Sequence, residues 1–326
     1  MSQHFLLSAK ARTLSLASVL RMSDEHAEAT FIGLRWADGV ICVRCACPTV
    51  YQCRRPSGAL RFRCKACRKD FSITSGTLFA FHKMPLRTYL AAIAIFVNEV
   101  KGKSALALSR ELGTQYRTAY VLAHKIREAM AFELRGMNVG GVGKIVEVDG
   151  LYAGGYIKPA NHKESRRDRR LANNQNGKRQ VVVVVRERGG RTLPAVFKTE
   201  GAAQSWIRSR VAKGTTIMAD EAGSWNDLQV RSQVDRIDHG ALYSDGLGVY
   251  TNGAESFFSR IRRAEFGHHH HIAGVYLVRY AQESAWHEDH RRVDNGRQTM
   301  SLAGPAMMAP TSVDWCGYWQ RAQKAA

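Results

Sequence analysis

The chain has 326 residues, 45% of them hydrophobic, and carries 48 Lys and Arg against 28 Asp and Glu for a formal charge of +20. That length and apolar content suit two or three folding units, each able to bury a core, and the excess positive charge calls for a polyanionic partner, with nucleic acid ahead of anionic membrane. The longest apolar stretch, near Tyr89 to Val97, falls well short of the roughly 20 residues that a spanning helix needs, which excludes a helical membrane protein.

Phe5, Leu6 and Leu7 are followed at once by Lys10 and Arg12, so no uninterrupted signal-peptide core is present and a cytoplasmic location is expected. From Leu14 to Trp36 the apolar residues recur at helical spacing, interrupted at Ser23-Asp24-Glu25, a helix start. Six of the seven cysteines then fall between Cys42 and Cys67. Cys42-Val-Arg-Cys45 and Cys64-Lys-Ala-Cys67 are two C-x2-C knuckles separated by 18 residues. That separation lies in the window of about 15 to 20 that reads as a zinc site. Four thiolates complete a tetrahedron with bonds of about 2.3 Å and leave no open position, so this Zn2+ is expected to be structural. Cys47 and Cys53 are alternative ligands at this stage. Arg54, Arg55, Lys65, Arg68 and Lys69 give the module a basic surface.

Residues 85 to 133 read as helices broken at Lys101-Gly102-Lys103 and at Gly113-Thr114. The segments Ser104 to Gly113 and Thr114 to Arg127 make a candidate helix-turn-helix, with Leu106, Leu112, Ala119, Leu122 and Ile126 facing inward. Gln115, Arg117 and Thr118 would stand at the exposed start of the second helix, the part that enters the major groove in such motifs. Glycines at 136, 140, 141 and 143 mark a joint.

Beyond the joint the chain changes character. Short β-branched runs cover 144 to 149, 180 to 186, 193 to 198 and 215 to 220, with a helical pattern at 204 to 212 before the last, which together predict a mixed sheet with helices on its faces. Helical patterns at 253 to 265 and 275 to 290 close the unit. Two of the runs end in acids, Asp149 and Asp220, and Glu255 opens the next helix. An apolar strand that finishes on a carboxylate needs a cation or hydrogen bonds to compensate the charge. Two divalent ions held about 3.5 to 4 Å apart by such acids can drive an in-line displacement at phosphorus, and hard oxygen ligands favour Mg2+. On a helix, Glu255, Ser259 and Arg262 share one face while Phe257, Ile261 and Ala264 take the other. Arg262, roughly 10 Å beyond Glu255, could hold a phosphate beside the metals. Glu147, Glu221, Asp227 and Asp245 compete for the three acidic roles, and periodicity does not rank them. The loop from Lys158 to Arg179, with eight Lys or Arg, is read as a DNA clamp, and His268 to His271 as a DNA-contacting or packing stretch.

The two C-x2-C pairs, Phe71-Ser-Ile-Thr-Ser-Gly-Thr-Leu-Phe79, Met84-Pro-Leu-Arg87, Val146-Glu-Val-Asp-Gly150 with Gly154-Gly155, Asn252-Gly-Ala-Glu-Ser-Phe-Phe258, Arg262-Arg263 and His270-His271 follow one another in an order that resembles bacterial insertion-sequence transposases of the DDE type with an N-terminal zinc ribbon. The resemblance implies a ribonuclease-H-like catalytic core in which Asp149, Asp220 and Glu255 hold Mg2+ or Mn2+ for strand cleavage and strand transfer. Where the family has Lys after the third acid this chain has Arg262, a family His is here Tyr250, and the Tyr that opens the family's Tyr-His-His stretch is here His269. The expected organisation is an α/β protein in three parts: a leading helix with the zinc ribbon over 1–75, a helical DNA-binding segment over 76–140, and the mixed-sheet core over 141–326. Double-stranded DNA, both element end and target, is the expected partner, engaged by a homodimer or larger assembly. The rival readings are a non-catalytic DNA-binding regulator with a relic core, and a nuclease that cuts without joining.

Overall fold

The computed structural model describes residues 4–154, 172–174, 177–220, 223–230, 233–237, 250–269, 271–272 and 274–318. The chain divides into two compact units, one of residues up to Glu133 together with those from His290 onward, the other Leu134–Asp289.

In the first unit, α1 (Leu16–Arg21) and α2 (Asp24–Arg35) begin at Ser15 and Ser23, whose hydroxyls accept from the N–H groups of Ser18 and His26. Each cap satisfies a donor that the first helical turn leaves without a partner, which is why the pattern breaks at Ser23. Three antiparallel strands follow, β1 (Val50–Arg54), β2 (Leu60–Cys64) and β3 (Asp70–Phe71). Trp36, just after α2, meets Phe62 of β2 and Phe71 of β3 edge-on, so the leading helix and the small sheet share one aromatic core. α3 (Leu86–Asn98) is buried from Tyr89 through Val97, a helix enclosed on all sides. Among the described residues, no helix is long and apolar enough to cross a membrane.

α4 (Ala105–Glu111) is capped by Ser104, and α5 (Tyr116–Glu133) follows the turn at Gly113. Ala119, Leu122 and Ile126 are buried as expected, but the inward residue of α4 is Leu108 rather than Leu106, which is 50% exposed. Leu112 is only half-buried. Leu106 and Leu108 lie about 200° apart around the helix, so only one of them can face inward, and where α4 packs on α5 it is Leu108 that is buried.

In the second unit, β4 (Val139–Gly140) precedes β5 (Ile145–Ala153), β6 (Gln180–Glu187) and β7 (Thr192–Phe197), and α6 (Gln204–Arg210) leads through β8 (Val211–Ala212) to β9 (Thr216–Asp220) and β10 (Gln233–Ile237). The mixed five-stranded sheet has the order β10-β9-β5-β6-β7, with β5, β6 and β7 antiparallel and β9 and β10 parallel to β5. Val181 to Val185 are all buried because both faces are covered. On one face Val146, Val148 and Val183 pack against Ile207 of α6 and Trp225. On the other, Leu151, Val182 and Val184 pack against α7 (Asn252–Ala264) through Phe257, Phe258 and Ile261, and against α8 (Leu277–His290).

The chain then returns to the first unit. α9 (Asn295–Met308) is capped by Asp294 and packs on α2, α3 and α5. The Asn295 side chain accepts from the N–H groups of Thr13 and Leu14 at 2.9 and 3.0 Å and donates to Leu14 O at 2.7 Å. The segment from His290 onward therefore groups with the N-terminal helices, whereas the sequence reading ran the sheet-bearing part through to 326.

Candidate functional site

The two knuckles have the same backbone. Ala46 N–H donates to Cys42 O and Cys42 N–H to Cys47 O at 2.9 Å each, and Arg68 N–H donates to Cys64 O and Cys64 N–H to Lys69 O at 3.1 Å each. Ala46 and Arg68, each directly after the second cysteine, hold a left-handed φ of 56°, a conformation that costs a residue with a Cβ about 1 to 2 kcal/mol. The strain brings four sulfurs together: Cys42 to Cys67 is 3.7 Å, Cys45 to Cys64 is 3.6 Å, and all four lie within 4.8 Å of one another. A tetrahedron with bonds of about 2.3 Å separates its sulfurs by about 3.8 Å, so the cradle fits zinc. Cys47 instead directs its sulfur at Thr49 O, 3.7 Å away, and Cys53 lies on β1; neither belongs to the quartet. The charge around the ribbon is partly neutralised, since Arg54 pairs with Glu28 at 2.9 Å and Arg61 with Asp70 at 3.1 Å. Lys65, Arg68 and Lys69 remain exposed.

The acids gather at the end of the second unit's sheet. β5 and β9 run parallel with Val148 opposite Ala219. Asp149 and Asp220, each one residue further on, therefore stand side by side on neighbouring strands about 4.8 Å apart. Asp220 ends β9, whereas β5 runs on past Asp149 to Ala153, paired there with β6 alone, so the run expected to stop at Asp149 is longer than its apolar part. Burial pushes the Asp149 carboxyl up to about 7; the Gly150 N–H opposes this, and the charges of Asp220, Glu200 and Glu255 add to it. Three other carboxylates thus act on Asp149. Glu255 lies in the first turn of α7, half-buried, and that helix is held to the sheet by the apolar face that the pattern predicted. The indole N–H of Trp225, a fully buried residue, donates to Asp220 Oδ1 at 2.7 Å and orients that carboxylate. Among the described residues only the cysteine quartet brings three or more ligand atoms all within 4.8 Å, so the carboxylates surround Asp149 at a wider spacing. Arg262 is exposed in the last turn of α7.

Glu147, the rival on the same face of β5, has a different task. Its side chain is 2% exposed, pairs with Arg188 Nε at 2.9 Å, and accepts the N–H of Ala254 at 2.9 Å. It thereby caps the first turn of the helix that carries Glu255. Gly253 makes room for it, since a Cβ there would lie 2.6 Å from Glu147 Oε2. Arg188 also donates to Tyr250 O at 2.7 Å and lies 3.6 Å from the centre of the Tyr250 ring, which gives Tyr250 a packing role. Glu221, Asp245, His270 and most of the loop from Lys158 to Arg179 lie outside the described residues, as does the side chain of Asp227. His269 meets the ring of Tyr280 at 4.7 Å, a packing contact.

Sequence reasoning missed Glu200. Burial and then the nearby charge of Asp220 raise its carboxyl, while the Ser224 hydroxyl opposes the shift. No periodic pattern announces it, and Gly150, which follows Asp149, was the only available sign. At the other candidate site, Gln115, Arg117 and Thr118 at the start of α5 are exposed, as a reading face requires.

Residues 140–289 match the ISXO2-like transposase domain, and residues 22–70 match the transposase zinc-ribbon domain. A protein from Halobacterium salinarum described as an uncharacterized protein in transposable element ISH50 is 24% identical over 252 residues, covering 74% of this chain and 83% of that protein. The two matches follow the order of the motifs: a stretch similar to a transposase zinc ribbon, then one similar to an ISXO2-like transposase domain.

Proposed function

We propose that this chain, similar over its ribbon and its sheet-bearing unit to insertion-sequence transposases, is a DNA transposase that cleaves the ends of its element and joins them to target DNA. The observation that carries the reading is the convergence of charge on Asp149, a buried carboxyl acted on by Asp220, Glu200 and Glu255. The five-stranded sheet would be a ribonuclease-H-like core, its two central parallel strands β5 and β9 carrying the first two acids.

Asp149, Asp220 and Glu255 would hold Mg2+ or Mn2+; all three offer hard oxygens, and their mutual repulsion is what a cation relieves. When bound, divalent ions at such acids activate an attacking oxygen and stabilise a leaving one at phosphorus. The chain's own residues prepare the site. Asp149, neighboured by both other acids, is the shared ligand. Trp225 fixes the carboxylate of Asp220, and Glu147 with Arg188 docks the helix of Glu255 on β5. Arg262, exposed on the same helix, supplies a fixed positive charge for a phosphate. Four thiolates leave the ribbon zinc without an open position, so its contribution is to fold.

DNA would be held by the exposed Lys65, Arg68 and Lys69 of the ribbon and by Gln115, Arg117 and Thr118 of α5, in the cytoplasm, with two or more chains bridging the paired ends. A strand-transfer assay with labelled end DNA and Mg2+ tests the reading. Cleavage followed by joining supports it. An intact strand would indicate a DNA-binding regulator, and cut but unjoined ends a nuclease.

A further inference from the structure

Glu200 stands at the turn between β7 and α6, preceding the short helical turn Gly201–Ala203, yet its side chain caps nothing there. Thr199 takes that task, its Oγ1 accepting the Ala202 N–H at 3.4 Å. The Glu200 carboxylate instead reaches across the end of the sheet. One oxygen accepts from the Ser224 hydroxyl at 3.0 Å, on the segment that follows Asp220. The other lies against the backbone beside Asp149: a Cβ at Gly150 would come within 2.5 Å of Glu200 Oε1. Gly150 is the residue type that admits a carboxylate at this distance from the strand. Glu200 thus contacts the segments carrying both strand acids; it repels Asp149 and is repelled by Asp220, while the nearby Arg179 charge offsets part of that repulsion.

A half-buried acid whose burial and like-charged neighbours outweigh its nearby cation, Arg179, weakens the fold unless something rewards it. A brace would do better as Gln, which could accept from Ser224 without the repulsion. We infer that Glu200 is a fourth carboxylate arm of the divalent-cation centre, holding metal together with Asp149, Asp220 and Glu255. The inference rests on the metal-site reading above, and it adds a ligand from the opposite side of the sheet to α7, with Ser224 as its positioning residue.

The test is Mn2+ binding to the zinc-loaded full chain, measured by calorimetry and by the electron paramagnetic resonance signal of free Mn2+, for the wild type, Glu200→Gln, Asp149→Asn and Ser224→Ala. Glu200→Gln should weaken Mn2+ binding about tenfold or more, the scale of one charged ligand at ~1.4 kcal/mol per decade, and in Mn2+-free buffer it should melt at the wild-type temperature or above. Ser224→Ala, which keeps the carboxylate but frees it, should weaken Mn2+ binding by a smaller factor in the same direction. Wild-type Mn2+ affinity in Glu200→Gln, together with its loss in Asp149→Asn, would overturn the role of Glu200 and leave the site reading standing. Wild-type affinity in both variants would overturn the site reading and this inference with it. A fall in the melting temperature of Glu200→Gln without change in Mn2+ affinity would mark Glu200 as a brace, and would also overturn the inference.

Discussion

Asp149→Asn should stabilise the protein while it abolishes metal binding. The amide keeps the shape and can still accept the Gly150 N–H, which donates to Asp149 Oδ1 at 2.6 Å, but it removes a charge that the fold opposes. The Asp149 carboxyl is raised from its ordinary 3.8 to about 7. At ~1.4 kcal/mol per pH unit between those two values, ionised Asp149 destabilises the fold by about 4 kcal/mol above pH 7 when no divalent ion is bound. The sign follows from the upward shift: the folded state binds the proton more tightly, so stability is fully present below pH 4 and is lost as the pH rises through 7. For a unit of about 150 residues, ~4 kcal/mol corresponds to roughly 10 °C in melting temperature. The assay is thermal melting of wild type and Asp149→Asn in magnesium-free buffer at pH 4, 6 and 8. The variant should melt at about the wild-type temperature at pH 4 and roughly 10 °C higher at pH 8. Added Mg2+ should then raise the wild type and leave the variant unchanged. A variant less stable than wild type at pH 8, or a difference independent of pH, would refute the reasoning.

Glu147→Ala should act in the opposite way. Removing the buried partner of Arg188 and the cap of α7 should cost about 3 to 5 kcal/mol, read as a fall of roughly 10 °C in the melting of the second unit; an unchanged melting temperature would return Glu147 to the list of candidate ligands. Cys64→Ser should lose zinc and expose the amides between Val40 and Asp70 to hydrogen exchange while the sheet of the second unit stays protected, whereas Cys47→Ser should keep full zinc content; the reverse pattern of zinc content would break the ligand assignment. Ala46→Gly and Arg68→Gly should each relieve about 1 kcal/mol of left-handed strain, seen as a severalfold slower loss of zinc to a chelator. Equal or faster loss would show that the knuckles are unstrained.

Much of this was legible because local chemistry and global fold agree. The knuckle spacing picked out the four sulfurs that converge, and Ser23 and Ser104 marked helix starts that the structure uses as caps. An apolar strand ending in acid describes Asp220, whereas β5 continues four residues beyond Asp149. What stayed hidden depends on partners distant in the chain. Glu147 and Asp149 share a strand face, and only Arg188 and the Ala254 N–H, 41 and 107 positions away, separate a cap from a candidate ligand. Glu200 lies three residues beyond Phe197, the end of β7, in a connection where no period applies. Strand β10 is a short edge strand with Asp235 and Arg236 in its middle, which blunts an alternation signal. Helix α9 contains Gly304 and Pro305, residues that argue against a helix until the packing against α2, α3 and α5 overrides them. Leu106 and Leu108 lie on opposite sides of a two-turn helix with apolar residues on both, and only packing against α5 decides that Leu108 is the buried one.

The central claim is that Asp149, Asp220 and Glu255 share divalent cations, and anomalous diffraction from crystals soaked in Mn2+ tests it most directly. The account predicts Mn2+ peaks beside Asp149 of β5 and the end of β9, within coordination distance of all three carboxylates, and none there in Asp149→Asn crystals. Saturating Mn2+ that leaves this cluster without a peak while the carboxylates stay apart would contradict it.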